Sequence, residues 1–263
     1  MHRSELRLAE AILNFPGQIA SYSATELAQI AGVSNATVTR FIRKIGYASF
    51  EEARQAVRAE QATGAALLRM ERESGPTEGG KISSHLKQSM RNLSLSLNGL
   101  DESDLNALVK AMTGARRLWL VGFRAGQAFA RYLAWQVMQV RDNVQTLPRD
   151  GETLAESLAS VGAGDCVIVF ALRRSPKQIA PLLALLHESG ADTALIGDMP
   201  TLEAMPARWR LPCSTTGAGA LFDHVGVMAI CGLLANGAIA QGGAASRERL
   251  GLIENIHDSL DEL

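Results

Sequence analysis

The sequence has little cysteine, and its few cysteines form no recognisable group. Cys166, Cys213 and Cys231 lie far apart along 263 residues, with no CxxC pair and no histidine at ligand spacing. This pattern argues against a metal cluster or a disulfide framework and favours the reduced thiols of a cytosolic protein. Cys166 and Cys231 lie in apolar runs, where a thiol is a packing residue rather than a redox sensor.

Signals for export or a membrane are also missing. No basic and apolar leader opens the chain, and "MHRSELRLAEAILNF" reads as an amphipathic helix. Residues 225–246 carry no charge, but they include five glycines, Asn236 and Gln241, which suit a lipid-facing span poorly. We therefore predict a cytoplasmic protein without membrane contact, in which this segment is a buried or interface-packed helix.

What the sequence does contain is enough apolar material for a sizeable core, with 47% hydrophobic and 20% charged residues. The length favours two domains, and "SGPTEGG" at 74–80 has the composition of a linker. We predict a helix-turn-helix domain over 1–75, a linker with connecting helices over 76–115, and an effector-binding and oligomerisation domain over 116–263.

A leucine-rich stripe follows the linker at spacings of three and four, which predicts one helix. Its members are Ile82, Leu86, Met90, Leu93, Leu97 and Leu100. Two roles stay open for the stripe: packing onto its own α/β domain, or forming an interface between subunits. A second helix is predicted in "ESDLNALVKAMTG", which ends at Gly114.

Beyond residue 115, short apolar runs alternate with helix-length segments. The runs are "LWLVG" (118–122), "VQTL" (144–147), "CVIVFAL" (166–172), "TALIG" (193–197) and "WRLPC" (209–213). Near-continuous apolar strands that alternate with helices predict a parallel sheet covered on both faces. The fold class is thus an all-α amino-terminal domain followed by an α/β domain.

One short segment of the first domain, "VSNATVTRFIRKIGY" (33–47), contains cations and no acidic residue, although the whole chain has a formal charge of -1. Ahead of it, Leu27, Ala28 and Ala31 predict one helix face, with Ser23 or Thr25 as its cap. Gly32 supplies a tight connection, and Ser34 stands where a second cap belongs. The connecting Gly32, the small Ala28 four residues before it, the apolar spacing on both sides and the polar start of the second helix are together typical of a helix-turn-helix.

On this template Val38, Phe41, Ile42 and Ile45 turn inward on the second helix. The helix tip or outer face holds hydroxyl, amide and basic groups, which suit base edges and phosphates in a major groove. We predict that double-stranded DNA is contacted by Ser34, Asn35, Thr37, Thr39, Arg40, Arg43 and Lys44. The alternative for such a basic cluster is an ordinary solvated surface.

These residues bring the chain close to a known family. "SATELAQIAGVSNATVTRFIRKIGYASFEEAR", "LWLVGFRAGQAFARYLAWQV" and "AGDCVIVFALRRSPKQIAPLLALLHESGADTALIGD" resemble RpiR-type (MurR/RpiR family) transcriptional regulators. The resemblance implies a helix-turn-helix domain joined to a SIS (sugar isomerase) domain with a five-stranded parallel sheet of order 2-1-3-4-5. It further implies that the second domain senses a small molecule, commonly a phosphosugar, and that the chain forms a homodimer or homotetramer on a DNA operator.

The loops after the first and third strands depart from the family pattern, in which serine and threonine hydroxyls are usual. Ligands of open α/β sheets bind where the strand order reverses, which on the implied order is between these two loops. Arginines stand there instead of most hydroxyls, so we predict an anionic effector, either a phosphosugar or a carboxylate. The predicted contacts are Gly122, Phe123, Arg124, Gly126, Arg173, Arg174 and Ser175. Alternatively, these arginines pair with Asp150, Glu152 or Asp223, or hold a subunit interface.

Other chemistry is weakly supported by the sequence. Asp223 and His224 are adjacent, and adjacent helical residues face about 100° apart, so they form no dyad by spacing alone. "VGFRAGQ" is not a GxGxxG fingerprint, so no dinucleotide cofactor is predicted, and no metal. We therefore predict a ligand-responsive DNA-binding regulator that acts as a repressor, and favour it over two rivals: an isomerase-like enzyme and a ligand-insensitive DNA-binding dimer.

Overall fold

The structure is a computed structural model that describes residues 3–14, 22–63, 80–173 and 176–262. It separates into two compact units, one of residues 1–85 with 217–222 and the other of residues 86–216 with 223–263. The predicted linker at 74–80 lies, apart from Gly80, outside the described residues.

The first unit is helical, as its apolar spacing predicts. Its helices are α1 (Arg3–Asn14), α2 (Ala24–Ala31), α3 (Asn35–Lys44) and α4 (Phe50–Thr63). Small and apolar side chains at three- and four-residue spacing give each helix one buried face, and these faces meet in a single core. The buried members are Leu8, Leu27, Ala28, Ala31, Val38, Phe41, Ile42 and Ala53.

The ends of α2 and α3 are fixed by side-chain caps and one glycine. Ser23 and Glu26 form a reciprocal capping box at the start of α2, and the Ser34 hydroxyl accepts from the Thr37 N–H at the start of α3. Gly32 ends α2 in the left-handed conformation with φ 60°, which glycine adopts without steric cost. The predicted caps Ser23 and Ser34 are therefore confirmed.

The second unit contains a five-stranded sheet in which all pairs are parallel. Its strands are β1 (Leu118–Gly122), β2 (Val144–Leu147), β3 (Cys166–Ala171), β4 (Asp192–Gly197) and β5 (Trp209–Pro212). Their order is β2-β1-β3-β4-β5, with Leu118 opposite both Val144 and Cys166. β1 and β3 are buried along their whole length, which explains their uninterrupted apolar sequences. The predicted fold class is confirmed.

Helices cover both faces of this sheet. In chain order, the helices from residue 80 onward are α5 (Gly80–Asn98), α6 (Glu102–Gly114), α7 (Ala125–Met138), α8 (Leu154–Leu158), α9 (Ile179–Glu188), α10 (Met199–Ala204) and α11 (Val225–Leu260). Side chains of α6, α7 and α11 build the core on one face, while α9 and α10 build the core on the other. α10 was not anticipated from the sequence, and α9 begins four residues later than its predicted start at Ser175.

The uncharged segment at 225–246 lies within α11, whose helical dihedrals are interrupted at Gly243. Among the described residues, α11 alone is long and apolar enough to cross a membrane. Its inner side chains Val227, Ile230 and Leu234 are instead fully buried in the core that α6 and α7 share. These contacts are those of a core helix.

Two glycines of α11 serve contacts within the chain. A Cβ atom on Gly226 would lie 2.2 Å from the Ser96 hydroxyl, and one on Gly237 would lie 2.8 Å from a methyl of Val109. These glycines therefore admit α5 and α6 of the same chain. At Gly232, no described atom outside its own helix lies within 4 Å of the corresponding position.

A buried carboxylate ties the amino ends of β1 and β3 together. Asp165 accepts two hydrogen bonds of 2.9 Å from the Arg116 guanidinium and one of 3.1 Å from the Trp119 indole N–H. Burial alone would raise the pKa of Asp165, but these bonds and the Gly162 N–H bring it below its ordinary value. The carboxylate is thus held in its charged form by the fold.

We expect Asp165→Asn to lower the free energy of unfolding by about 2 kcal/mol at neutral pH, because the buried Trp119 indole N–H and the Arg116 guanidinium lose their charged acceptor. The native pKa is depressed, so the stabilisation is present above the ordinary carboxyl pKa of about 4 and is lost as the pH falls through the native pKa. Urea denaturation at several pH values measures both effects. The exposed Glu203→Gln change is the control, and equal stability of the two variants at neutral pH would contradict the prediction.

Candidate functional site

The outer face of α3 presents polar and basic groups, as the helix-turn-helix template predicts. Ser34, Asn35, Thr39, Arg40 and Arg43 are exposed. The Asn35 amide donates to the Thr25 hydroxyl at 3.1 Å, and the Thr39 hydroxyl donates back to the Asn35 carbonyl at 3.1 Å. These bonds fix the tip of α3 against the start of α2 and leave the two guanidinium groups facing outward.

The structure changes the orientation expected for three residues of α3 and its end. Thr37 is buried, and its hydroxyl shares a hydrogen bond of 3.0 Å with Ser34, so it lies in the cap rather than on the outer face. Ile45, expected to turn inward, is exposed because the helix ends at Lys44. The Lys44 ammonium lies 3.0 Å from the carboxylate of Glu5 on α1, so its charge is already paired.

Arg40 and Arg43 are consequently the strongest cationic candidates on this helix. Among the residues that the structure describes, neither forms an ion pair within 4.0 Å. α3 carries no acidic residue, so nothing on the helix offsets their charge. Two exposed, uncompensated guanidiniums next to hydroxyl and amide groups can bind phosphate oxygens and guanine edges.

The loop after β1 is built around two glycines that bring backbone segments into contact. A Cβ atom on Gly122 would lie 2.1 Å from the Gly126 carbonyl oxygen, and one on Gly126 would lie 3.0 Å from the Phe170 carbonyl oxygen. The first turn of α7 therefore packs directly on the ends of β1 and β3. A serine at 126 would crowd the β3 backbone, which gives a physical reason for the missing hydroxyl.

The two residues between these glycines have different surroundings. Phe123 is half-buried and packs on the core that contains Trp119 and Val121, so its ring has a structural role. Arg124 is exposed and has φ 54° and ψ −124°, a conformation that costs a non-glycine residue about 1–3 kcal/mol. This strained backbone positions Arg124 directly ahead of α7.

Arg173 follows β3 and is half-buried next to an acid. Its Nε lies 3.7 Å from an oxygen of Asp198, and this Nε–H is buried without a hydrogen-bond partner in the described part of the chain. The acids suggested by the sequence have other neighbours: Arg131 pairs with Asp150, and Arg149 pairs with Glu152. Asp223 accepts a hydrogen bond from Ser89. Arg174 and Ser175 lie outside the described residues.

Sequence reasoning missed several polar groups at the carboxyl ends of β4 and β5. Besides Asp198, the Thr215 hydroxyl is buried and lacks a hydrogen-bond partner among the described residues. Nearby, Asn92 and Ser96 of α5 bond to the segment after β5: the Ser214 hydroxyl donates to Asn92 at 3.0 Å, and the Ser214 N–H donates to Ser96 at 2.9 Å. The available sequence signal was the four-residue spacing of Asn92 and Ser96, which places both polar side chains on one face of a helix.

The remaining titratable candidates show features of packing residues. The His224 ring lies 5.2 Å from that of Phe129, and burial lowers the pKa of His224 while Asp223 opposes this effect. All three cysteines are buried. Burial raises the pKa of Cys166 and of Cys231 to about 12, and it also raises that of Cys213. Such thiols remain protonated and unreactive at neutral pH.

A cavity of about 490 Å³ lies away from the predicted effector loops, between β1, β2 and α8. Its lining mixes both charges, and Arg149 in it is engaged with Glu152 at 3.7 Å and Gln145 at 2.6 Å. The lining residues are Arg117, Trp119, Asn143, Gln145, Arg149, Gly151, Glu152, Glu156, Ser157 and Ser160. None of them belongs to the predicted effector set.

Comparison with known proteins relates each region to a family. Residues 1–64 match the helix-turn-helix domain of the rpiR family, and residues 111–204 match the SIS domain. The chain is 26% identical over 198 residues to the HTH-type transcriptional regulator HexR of Pseudomonas aeruginosa, covering 73% of this chain and 67% of that protein. It is 26% identical over 173 residues to the HTH-type transcriptional regulator YfhH of Escherichia coli, covering 63% of this chain and 60% of that protein.

Solved structures agree on the fold. The sugar isomerase domain of an RpiR transcription factor from Sphaerobacter thermophilus matches with a TM-score of 0.61 at 22% identity, over 66% of this chain and 98% of that one. The Vibrio vulnificus NanR protein, solved in complex with ManNAc-6P, matches with a TM-score of 0.60 at 18% identity, over 99% of this chain and 94% of that one. The family, however, is shown by the two matched domains, which together span more than half of the chain: it is a member of the rpiR family, a transcriptional regulator that joins a DNA-binding helix-turn-helix domain to a SIS domain.

Proposed function

We propose that this regulator is a cytoplasmic, ligand-responsive repressor whose SIS domain binds a small anionic metabolite, either a phosphosugar or a carboxylate. In this proposal residues 1–75 bind the operator, and residues 116–263 bind the effector and form a homodimer or homotetramer. Residues 76–115 are the linker and the helices that connect these two domains. A two-fold dimer would match a palindromic operator. The names of its relatives as transcriptional regulators favour this function over enzymatic turnover.

The DNA contacts that we propose are Ser34, Asn35, Thr39, Arg40 and Arg43. All five are exposed on or beside the tip of α3, the helix that corresponds to the recognition helix of the motif. Thr37 contributes indirectly, since its hydroxyl and N–H hold the Ser34 cap. Lys44 is a weaker candidate because it would have to leave Glu5 to reach a phosphate.

The observation that carries the effector proposal is the buried Nε–H of Arg173 at the switch point of the sheet, which has no hydrogen-bond partner among the described residues. A buried guanidinium donor without an acceptor is costly, and a ligand carboxylate or phosphate would supply the acceptor. Gly122 ends β1 on the adjacent loop, where Arg124 and Gly126 lie at the start of α7. The ManNAc-6P complex of NanR supports a phosphosugar as the first compound to test.

Replacing Arg173 with alanine is expected to abolish, and Asp198→Asn to strengthen, the rise in melting temperature that an anionic ligand produces. The first change removes the cation, whereas the second removes a competing carboxylate that lies 3.7 Å from it. We would titrate a library of small carboxylates and sugar phosphates and follow thermal unfolding. Arg131→Ala, which removes an exposed paired arginine from α7, is the control.

An unchanged response of Arg173→Ala to the best ligand would remove Arg173 from the site.

Gel shifts with the DNA upstream of the protein's own gene separate the three functional classes. A repressor that senses a ligand gives a shift that the ligand alters, and a ligand-insensitive dimer gives one that no metabolite alters. An isomerase-like enzyme gives turnover of a sugar phosphate without a shift. In vitro transcription then tests repression, since added protein should lower the transcript.

A further inference from the structure

Helix α5 buries its polar side chains and exposes its apolar ones, the reverse of an ordinary surface helix. Asn92 and Ser96 are fully buried against the segment after β5 and against Gly226 of α11. Leu86 and Met90, one turn apart, are 57% and 61% exposed. Further along the same stripe, Leu93 and Leu97 are only half-buried. An apolar stripe left open in this way requires a partner.

Basic side chains accompany this stripe, and acidic ones are missing from it. Within the sequence of α5, residues 80–98, the charged side chains are Lys81, Lys87 and Arg91, with no aspartate or glutamate. Lys87 and Arg91 are exposed on the turns that carry Leu86 and Met90. Two copies of α5 laid against each other would therefore oppose like charges. The surface fits an apolar and acidic helix.

The end of α11 has these properties. Its side chains Leu252, Ile256 and Leu260 recur every four residues and are 57%, 48% and 61% exposed. Residues 250–262 contain no lysine or arginine, but they contain Glu254, Asp258, Asp261 and Glu262. Just before this segment, Arg249 of α11 donates a 2.8 Å hydrogen bond to the Met138 carbonyl of its own domain. The segment beyond it is a second open stripe, with the opposite charge.

We propose that α5 of one copy binds the 250–262 segment of α11 from a second copy, and that a two-fold axis generates the contact twice. Leu86 and Met90 would pack against Leu252, Ile256 and Leu260, while Lys87 and Arg91 face the acidic side chains. Both open stripes become buried, and neither like-charged pairing occurs. This inference rests on the homo-oligomer that we propose above and names its surfaces.

Engineered cysteines test the contact on the full-length protein. We would co-express a Met90→Cys chain and an Ile256→Cys chain with different affinity tags, and apply a mild oxidant. A disulfide-linked dimer is expected from the pair and from neither variant alone. The native cysteines do not compete, because all three are buried with raised pKa. Linkage of Met90→Cys chains to each other would show α5–α5 pairing and overturn the proposal.

Charge reversal provides a second measurement. Lys87→Glu with Arg91→Glu, or Glu254→Lys with Asp258→Lys, should each raise the dimer dissociation constant about tenfold or more, and the four changes together should restore it. Lys110→Glu, which reverses an exposed charge on α6 outside the interface, is the control for these changes. For an apolar-to-polar change such as Leu252→Gln, the control is Leu185→Gln at an exposed leucine of α9. Analytical ultracentrifugation measures all of these variants.

The outcomes separate this inference from the function on which it rests. If the unmodified protein sediments as a monomer at micromolar concentration, both the homo-oligomer and this interface are wrong. If it is a dimer but the co-expressed cysteine pair does not link and charge reversal has no effect, the interface alone is wrong. Restoration of the dimer by the four combined reversals would support the α5–α11 contact directly.

Discussion

Replacing Arg40 and Arg43 together with alanine will lower the affinity for operator DNA about 100-fold, since two groups that bind phosphate or guanine are lost. Both side chains are exposed on α3, and within the described residues no acid neutralises either one. Fluorescence anisotropy with a labelled operator fragment measures the effect. The dependence of the affinity on salt concentration should also become shallower by about one ion per lost phosphate contact.

The fold of the first domain should survive these two changes, because neither side chain belongs to its core. Circular dichroism of the double variant is expected to match that of the parent protein. Lys110→Ala removes one exposed cation from α6 and should leave the operator affinity nearly unchanged. If the double variant binds operator DNA with the affinity and the salt dependence of the parent protein, the assignment of α3 as the recognition helix is wrong.

Replacing Gly122 with alanine is expected to lower the free energy of unfolding of the α/β domain by about 3 kcal/mol, because the added methyl overpacks a backbone contact. The Cβ would lie 2.1 Å from the Gly126 carbonyl oxygen, 2.3 Å from its carbon and 2.7 Å from the Gln127 nitrogen. All three are backbone atoms at the start of α7, so no side chain can rotate away. The strand or the helix must shift.

Thermal and urea denaturation of the full-length protein measure this loss. Gly114→Ala, at the end of α6, is the matched control because, in the described part of the chain, no atom outside its own helix and its chain neighbours lies within 4 Å of the added methyl, and alanine is the better helix former. We expect the control to be neutral or slightly stabilising. A Gly122→Ala protein with the stability of its parent would mean that β1 and α7 are less closely packed than these distances indicate.

The sequence alone predicted the elements whose physics is local. The strand runs 118–122 and 144–147 match β1 and β2 residue for residue, since each apolar run ends where a loop residue begins. Caps behave in the same way: Ser23 and Ser34 bond to N–H groups three residues away. The strand order came from resemblance to a family, because no local pattern says which strands are neighbours.

The sequence could not predict side-chain roles that depend on contacts with residues distant along the chain. Thr37 looked like a DNA contact, but the packing of α3 on α2 turns it inward to the Ser34 cap. Asp198 stands 25 residues after Arg173 and became its neighbour only because β3 and β4 are adjacent in the sheet. The sequence likewise did not reveal that α5 buries Asn92 and Ser96 and exposes Leu86.

By itself, then, the sequence determined the helix-turn-helix, the alternation of strands and helices, and the cationic character of α3, because spacing, capping and charge act within a few residues. Tertiary structure decided which arginines are compensated, which glycines are indispensable and which apolar stripes stay open. Those properties depend on which residues from other parts of the chain lie within a few ångströms, and a short stretch of sequence does not give the distances between residues that are far apart along the chain.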